Sequence, residues 1–173
     1  MSAVKTAGFI FGAALSMNAM AADFSFDRPG AGMGTGITPV GKLAWEQALP
    51  SANYNETMVN GEKQKTVTLN GDMLFRTGLA KDLELQVGWQ GPAWTKVKRA
   101  GQSVEEDGLG DVSIGVKKAI NLDDDKLSMA VAAEAILATG NDGFTNHDDI
   151  YSVSSAVAYD FSDLISTYIT MRY

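Results

Sequence analysis

The only histidine, His147, lies in the stretch TGNDGFTNHDD (residues 139–149), beside Asp142, Asp148 and Asp149. Carboxylates at that density suit a hard cation such as calcium, but the glycine and ligand spacing of a dedicated calcium loop is missing. The stretch therefore reads as a solvated acidic loop, and no metal or cofactor is expected. The run Asn121-Leu-Asp-Asp-Asp-Lys126 reads in the same way, as a polar turn. A lipid hydrolase would need a nucleophile, a base and an orienting group within hydrogen-bond reach. With its one histidine in a predicted loop, the chain is not expected to be an enzyme. Turnover that vanished in His147→Ala would reverse that expectation. The glycine-rich stretch ADFSFDRPGAGMGTG (residues 22–36) invites a phosphate-loop reading. A phosphate loop follows a strand and opens a helix, and neither context is present.

The chemistry that remains is a row of charges spread along segments of period two. It consists of Lys42, Glu46, Asp72, Arg76, Glu84, Asp111, Lys117 and Glu134. Opposite parities carry apolar residues. In DGLGDVSIGVKKAI (residues 107–120), Val112, Ile114 and Val116 fall on one side and Asp111, Ser113 and Lys117 on the other. Successive strand side chains point to opposite faces, so each segment is a ribbon with one apolar and one polar side. Seven such strands are expected: 39–49, 66–77, 83–89, 107–120, 127–137, 150–161 and 164–173. The parity of the last is ambiguous. Connections 50–65, 90–107 and 138–149 are long and polar, whereas 78–82, 121–126 and 162–163 are short. Strict alternation of long and short is the habit of an outer-membrane barrel, with short turns in the periplasm and long loops outside.

The flanking regions agree with export. Lys5, an apolar segment from Ala7 to Leu15 and the Ala19-Met20-Ala21 site make residues 1–21 a secretory signal. Residues 22–36 then form a glycine-rich periplasmic leader and 37–173 the transmembrane barrel. No later apolar run is long enough for a spanning helix. The chain lacks cysteine, and its 21 acidic against 14 basic residues, net −7, argue against a nucleic-acid partner.

Alternation alone does not say whether the apolar side meets lipid or a protein core. Aromatics on the apolar parity favour lipid: Trp45, Trp89 and Tyr151, with Trp89 and Tyr151 beside long loops, and Phe75, Tyr159 and Phe161 near short turns. These resemble the two interfacial girdles of a membrane barrel. Pairing across the Gly78–Asp82 hairpin sets Phe75 against Leu85, Met73 against Val87 and Arg76 against Glu84. The last pair is expected to line the lumen. The charged row would then line a pathway, or simply fill and hydrogen-bond a narrow interior. A soluble periplasmic barrel holding a lipophilic ligand, its apolar parity turned inward, is the other reading.

Several pieces carry a family resemblance. They are Phe26-Asp-Arg-Pro-Gly-Ala-Gly-Met-Gly-Thr-Gly36, Pro39-Val-Gly-Lys-Leu-Ala-Trp-Glu46, the Gly78-Leu79…Leu83-Glu-Leu85 hairpin, Gly108-Leu-Gly-Asp-Val-Ser-Ile-Gly-Val-Lys117 and Ala138-Thr-Gly140. In order and spacing the chain resembles the family labelled "putative meta-pathway of phenol degradation". That resemblance implies an all-β, antiparallel outer-membrane barrel, distantly similar to the long-chain fatty acid transporters. It also implies a transporter or channel for small hydrophobic or aromatic compounds, with outer-membrane lipid and such a solute as partners. Members usually run longer, and bacterial barrels close with even strand numbers. Seven strands are therefore expected to be an incomplete portion of a larger barrel.

Overall fold

The computed structural model describes residue 27 and residues 32–173, apart from 49 and 163. The expected signal at 1–21, and the leader outside residues 27 and 32–36, lie beyond the described residues. These residues form no helix, and so none long and apolar enough to cross a membrane.

Eleven strands are present: β1 (Leu43–Gln47), β2 (Ser51–Val59), β3 (Glu62–Asn70), β4 (Met73–Ala80), β5 (Leu83–Trp89), β6 (Pro92–Arg99), β7 (Gln102–Leu109), β8 (Val112–Ile120), β9 (Leu127–Leu137), β10 (Ile150–Ser162) and β11 (Ile165–Arg172). All strand pairs are antiparallel. Seven strands make one curled sheet, a half-barrel in the order β1-β4-β5-β8-β9-β10-β11. The other four form a second sheet, β2-β3-β6-β7.

This second sheet corrects the expectation that 50–65 and 90–107 are polar loops. Both are hairpins, closed by two-residue turns at Asn60-Gly61 and Ala100-Gly101. All four turn residues have positive φ, between 50° and 80°, which is the turn whose twist matches the flanking strands. The expected strands 66–77 and 107–120 each cross the break, so residues 66–70 and 107–109 belong to β3 and β7; the rest of the two hairpins lacks apolar alternation because polar residues occupy both faces. Asn-Gly between β-capable residues was the overlooked signal.

The second sheet continues the first across a break at 48–50, 71–72, 90–91 and 110–111. Backbone hydrogen bonds bridge it, from Ala48 N to Asp72 O (3.0 Å), Gly71 N to Pro92 O (3.2 Å) and Gly110 N to Gly91 O (2.9 Å). Met73 pairs with Trp89 below the break, and Asn70 with Ala93 above it. The β5–β6 chain thus spends one residue more there than β3–β4 does, which is a β-bulge. Gly91, at φ 73°, supplies it. Any Cβ there would collide with the Gly71 carbonyl, so glycine is required.

Register also differs from expectation at the β4–β5 hairpin. The pairs are Phe75 with Val87, Met73 with Trp89 and Arg76 with Gln86. A tight turn at Lys81-Asp82 and a bulge between Gly78 and Ala80 shift the pairing by two residues. A shift of two preserves faces. It also moves Phe75 away from the short turn: Trp45, Phe75, Val87, Ile114, Ala135 and Tyr151 form one cross-sheet row next to the row of Trp89.

The faces divide as the parities do. Trp45 (61% exposed), Phe75, Val87, Ile114, Tyr151 and Phe161 stand out on the convex side. Buried among the described residues are three alanines, Ala44, Ala130 and Ala156, and a set of polar groups including Glu46, Arg76, Glu84, Asp111 and Lys117. Below the break, the concave side is therefore the charged one.

Candidate functional site

β1, β4, β5 and β8 each send a charged side chain from the polar parity to one place. Arg76 lies at the centre, fully buried. Its Nη1 donates to Glu46 Oε1 at 2.7 Å, its Nε to Glu84 Oε1 at 2.8 Å and its Nη2 to Glu84 Oε2 at 3.0 Å. The Arg76–Glu84 pair expected across the hairpin therefore exists on the concave face, reached diagonally. Lys117 Nζ donates to both oxygens of Asp27, at 3.1 and 2.8 Å, and lies 3.8 Å from Glu84. Gln86 Nε2 joins Glu84 at 2.8 Å and Asp27 at 3.3 Å. Three carboxylates and two cations leave the cluster one negative charge. A buried ionic network holds only when its polar atoms are satisfied, and this one is densely bonded.

The leader is what covers the cluster. Asp27 N donates to Glu46 Oε1 (3.3 Å), and Gly34 N donates to Asp27 Oδ1 (2.9 Å). Met33 O accepts from Thr170 on β11 (3.3 Å), Thr35 bonds Ser128 on β9 (2.8 Å), and Gly36 O accepts from Arg76 (3.1 Å). Thr38 N donates to Glu84, and Val40 bridges Gly78. Residues 32–40 thus cross the concave face from β11 to β4. Of the glycine-rich leader expected at 22–36, the described residues 27 and 32–36 lie within the curve of the sheet. Small side chains make room for it: Ala130 and Ala156 are fully buried, and Gly78 is in backbone contact with Thr38 and Pro39.

Four of the eight expected pathway residues, Glu46, Arg76, Glu84 and Lys117, meet in this cluster. Glu134 is apart from them, half-buried and bonded to Arg172. Asp72 lies in the break, accepting from Asn70 Nδ2 at 3.1 Å. Lys42 is exposed, ahead of β1. Asp27, Thr38, Gln86 and Arg172 were not singled out. Asp27 lies in the Phe26–Gly36 stretch that carries the family resemblance, and Gln86 lies on the polar parity of β5.

Asp111 does different work. Its Oδ1 accepts from Gly140 N at 2.8 Å, and its Oδ2 from Asn146 N and Nδ2, each at 2.8 Å. Asn141 exchanges hydrogen bonds with the Leu109 backbone, and Phe144 lies on Gly108. Asp111 therefore latches loop 138–149 over the break, facing inward. Burial works to raise its pKa. The donors on Asn146, Gly140 and Thr145 outweigh burial and hold it below the ordinary aspartate value.

We expect Asp111→Ala to strand the Gly140 and Asn146 amides, each worth about 1–3 kcal/mol, and to speed their hydrogen exchange about tenfold or more. The carboxylate favours the latched loop while ionised. Protection should therefore hold down to the ordinary aspartate value, about pH 3.9, and fall only as pH drops through the lower folded value. Unchanged exchange in the variant would mean the loop is held by Asn141 and Phe144 alone.

Among the described residues no group of three or more His, Cys, Asp or Glu is placed to hold a metal ion. Tyr159 and Phe161 meet edge to face at 4.9 Å, and Trp45 stacks on Phe75 at 6.0 Å on the convex side.

The described residues thus form an antiparallel half-barrel whose concave face is charged and crossed by residues 32–40, and whose convex face is apolar. The chain belongs to the family described as "Putative MetA-pathway of phenol degradation", which matches residues 26–171. No curated protein and no solved structure matches it.

Proposed function

We propose that the chain forms part of an outer-membrane barrel wall and passes small hydrophobic or aromatic compounds, with its own leader as the internal obstruction. One observation carries this reading. The apolar side of every ribbon in the row of Trp45, Phe75, Val87 and Ile114 is turned outward, while Arg76, Glu84 and Lys117 are enclosed. In water that distribution wastes the apolar burial that drives folding. In a bilayer it places hydrocarbon-compatible surface against hydrocarbon and the lumen charges where they tune selectivity. A soluble carrier of a lipophilic ligand would need the reverse. The family's association with phenol degradation makes a small aromatic the natural solute class.

The test is flux through liposomes containing the full-length protein with its barrel closed, with benzyltrimethylammonium as an aromatic probe whose fixed charge prevents unaided crossing. Gly78→Val should raise influx several-fold over the parent chain, because the new side chain collides with the Thr38 and Pro39 backbone and must displace the leader. Flux absent from both chains, for this probe and for neutral aromatic or fatty solutes, would remove the transport claim.

A further inference from the structure

The four-stranded sheet carries cations on a face that the cluster and the leader do not touch. Gly108 and Glu106 of β7 look toward loop 138–149, so Glu105 and Asp107 look the other way. Register then assigns that outward face: Leu69, Trp94 and Asp107 in one row, Tyr54, Val67, Lys96 and Glu105 in the next, then Glu56, Lys65, Lys98 and Ser103, and finally Met58 and Lys63. Leaving the seven-stranded sheet, the face runs from Leu69 and Trp94 through Tyr54 and Val67 to Lys65, Lys98 and Lys63, and its four lysines outnumber its three carboxylates, Asp107, Glu105 and Glu56. Lys63 pairs with Glu56 at 2.6 Å, whose other oxygen accepts from the Tyr54 hydroxyl at 2.9 Å, and Lys96 pairs with Glu105. Lys65 and Lys98 are exposed and directly opposed, and neither has a carboxylate within 4 Å among the described residues; Glu56, which Lys63 holds, stands opposite Lys65 on β2 and feels its charge. Like charges in that position destabilise a sheet, and here they occur in a chain of net charge −7.

We propose that Lys65 and Lys98, flanked by Lys63 and Lys96, are a docking surface for the phosphate-bearing headgroups of anionic lipid at the membrane rim. The inference rests on the convex face being lipid-facing. The surface is continuous with that face, so lipid is already its neighbour. The order Trp94, Tyr54, lysine follows the polarity gradient from hydrocarbon to headgroup. Directly opposed Cβ atoms lie about 5 Å apart, a gap that one phosphate bridges with charge-assisted hydrogen bonds from both ammonium groups.

The experiment uses the full chain in phosphatidylcholine vesicles doped with brominated phosphatidylcholine or brominated phosphatidylglycerol. One version keeps Trp45 alone (Trp89→Phe, Trp94→Phe) to report the apolar band. Another keeps Trp94 alone (Trp45→Phe, Trp89→Phe) to report the patch. Both bromolipids should quench Trp45. At Trp94 the anionic lipid should be preferred by about fivefold per lysine, and Lys65→Gln with Lys98→Gln should bring the preference to parity. No quenching of Trp45 would sink the lipid-facing reading and this surface together. Quenching of Trp45 with equal effects of the two lipids at Trp94, or with a preference unchanged in the glutamine variant, overturns the surface alone. So does a preference abolished by millimolar inorganic phosphate, which would assign the lysines to the free ion.

Discussion

Arg76→Ala lowers the unfolding free energy by about 3–5 kcal/mol, the usual cost of removing one partner from a buried ionic group. The guanidinium is fully enclosed and is the cation that Glu46 and both oxygens of Glu84 share. Its loss leaves three carboxylates facing one cation, Lys117, which Asp27 already holds. Urea titration followed by tryptophan fluorescence reads the loss. A companion variant separates charge from packing. In Arg76→Met with Glu46→Gln and Glu84→Gln, one acid and one base remain, paired, and most of the lost stability should return, because apolar replacement of a buried ionic group is often neutral. A loss of under about 1 kcal/mol in Arg76→Ala would mean that water reaches the cluster, and the leader would then not seal it.

Why this cluster was only half legible follows from what alternation encodes. Period two assigns faces, and it put Glu46, Arg76, Glu84 and Lys117 on the polar side with no knowledge of the register. The register itself depended on the bulge between Gly78 and Ala80, for which Gly78-Leu-Ala-Lys-Asp82 holds no unambiguous signal. The error was harmless to the face because it was two residues, not one. Asp27 was a different kind of omission. Its role is set by a contact 90 residues away, with Lys117, and no local pattern records such a pairing. The second sheet was legible in principle through Asn60-Gly61. Apart from residues 66–70 of β3, its strands carry polar residues on both faces, which apolar alternation does not mark.

Val116→Arg tests the premise beneath the rest, namely the solvent of the convex face. Val116 lies at the middle of β8, 44% exposed, beside Leu85 and Ala133 in the cross-strand rows. If hydrocarbon covers it, a guanidinium there costs about 2–4 kcal/mol near the bilayer midplane. If water covers it, the change is an ordinary surface substitution within about 0.5 kcal/mol. The two outcomes differ by more than the error of a urea titration in vesicles. Depth supplies an internal control. Lys118 shares the outward parity two residues on, toward the short Asn121–Lys126 turn, where a long side chain reaches the interface. Lys118→Arg should therefore be nearly neutral while Val116→Arg is not. Equal, small costs at both positions would place water against the convex face, and the lipid-headgroup surface at Lys65 and Lys98 would lose its neighbour.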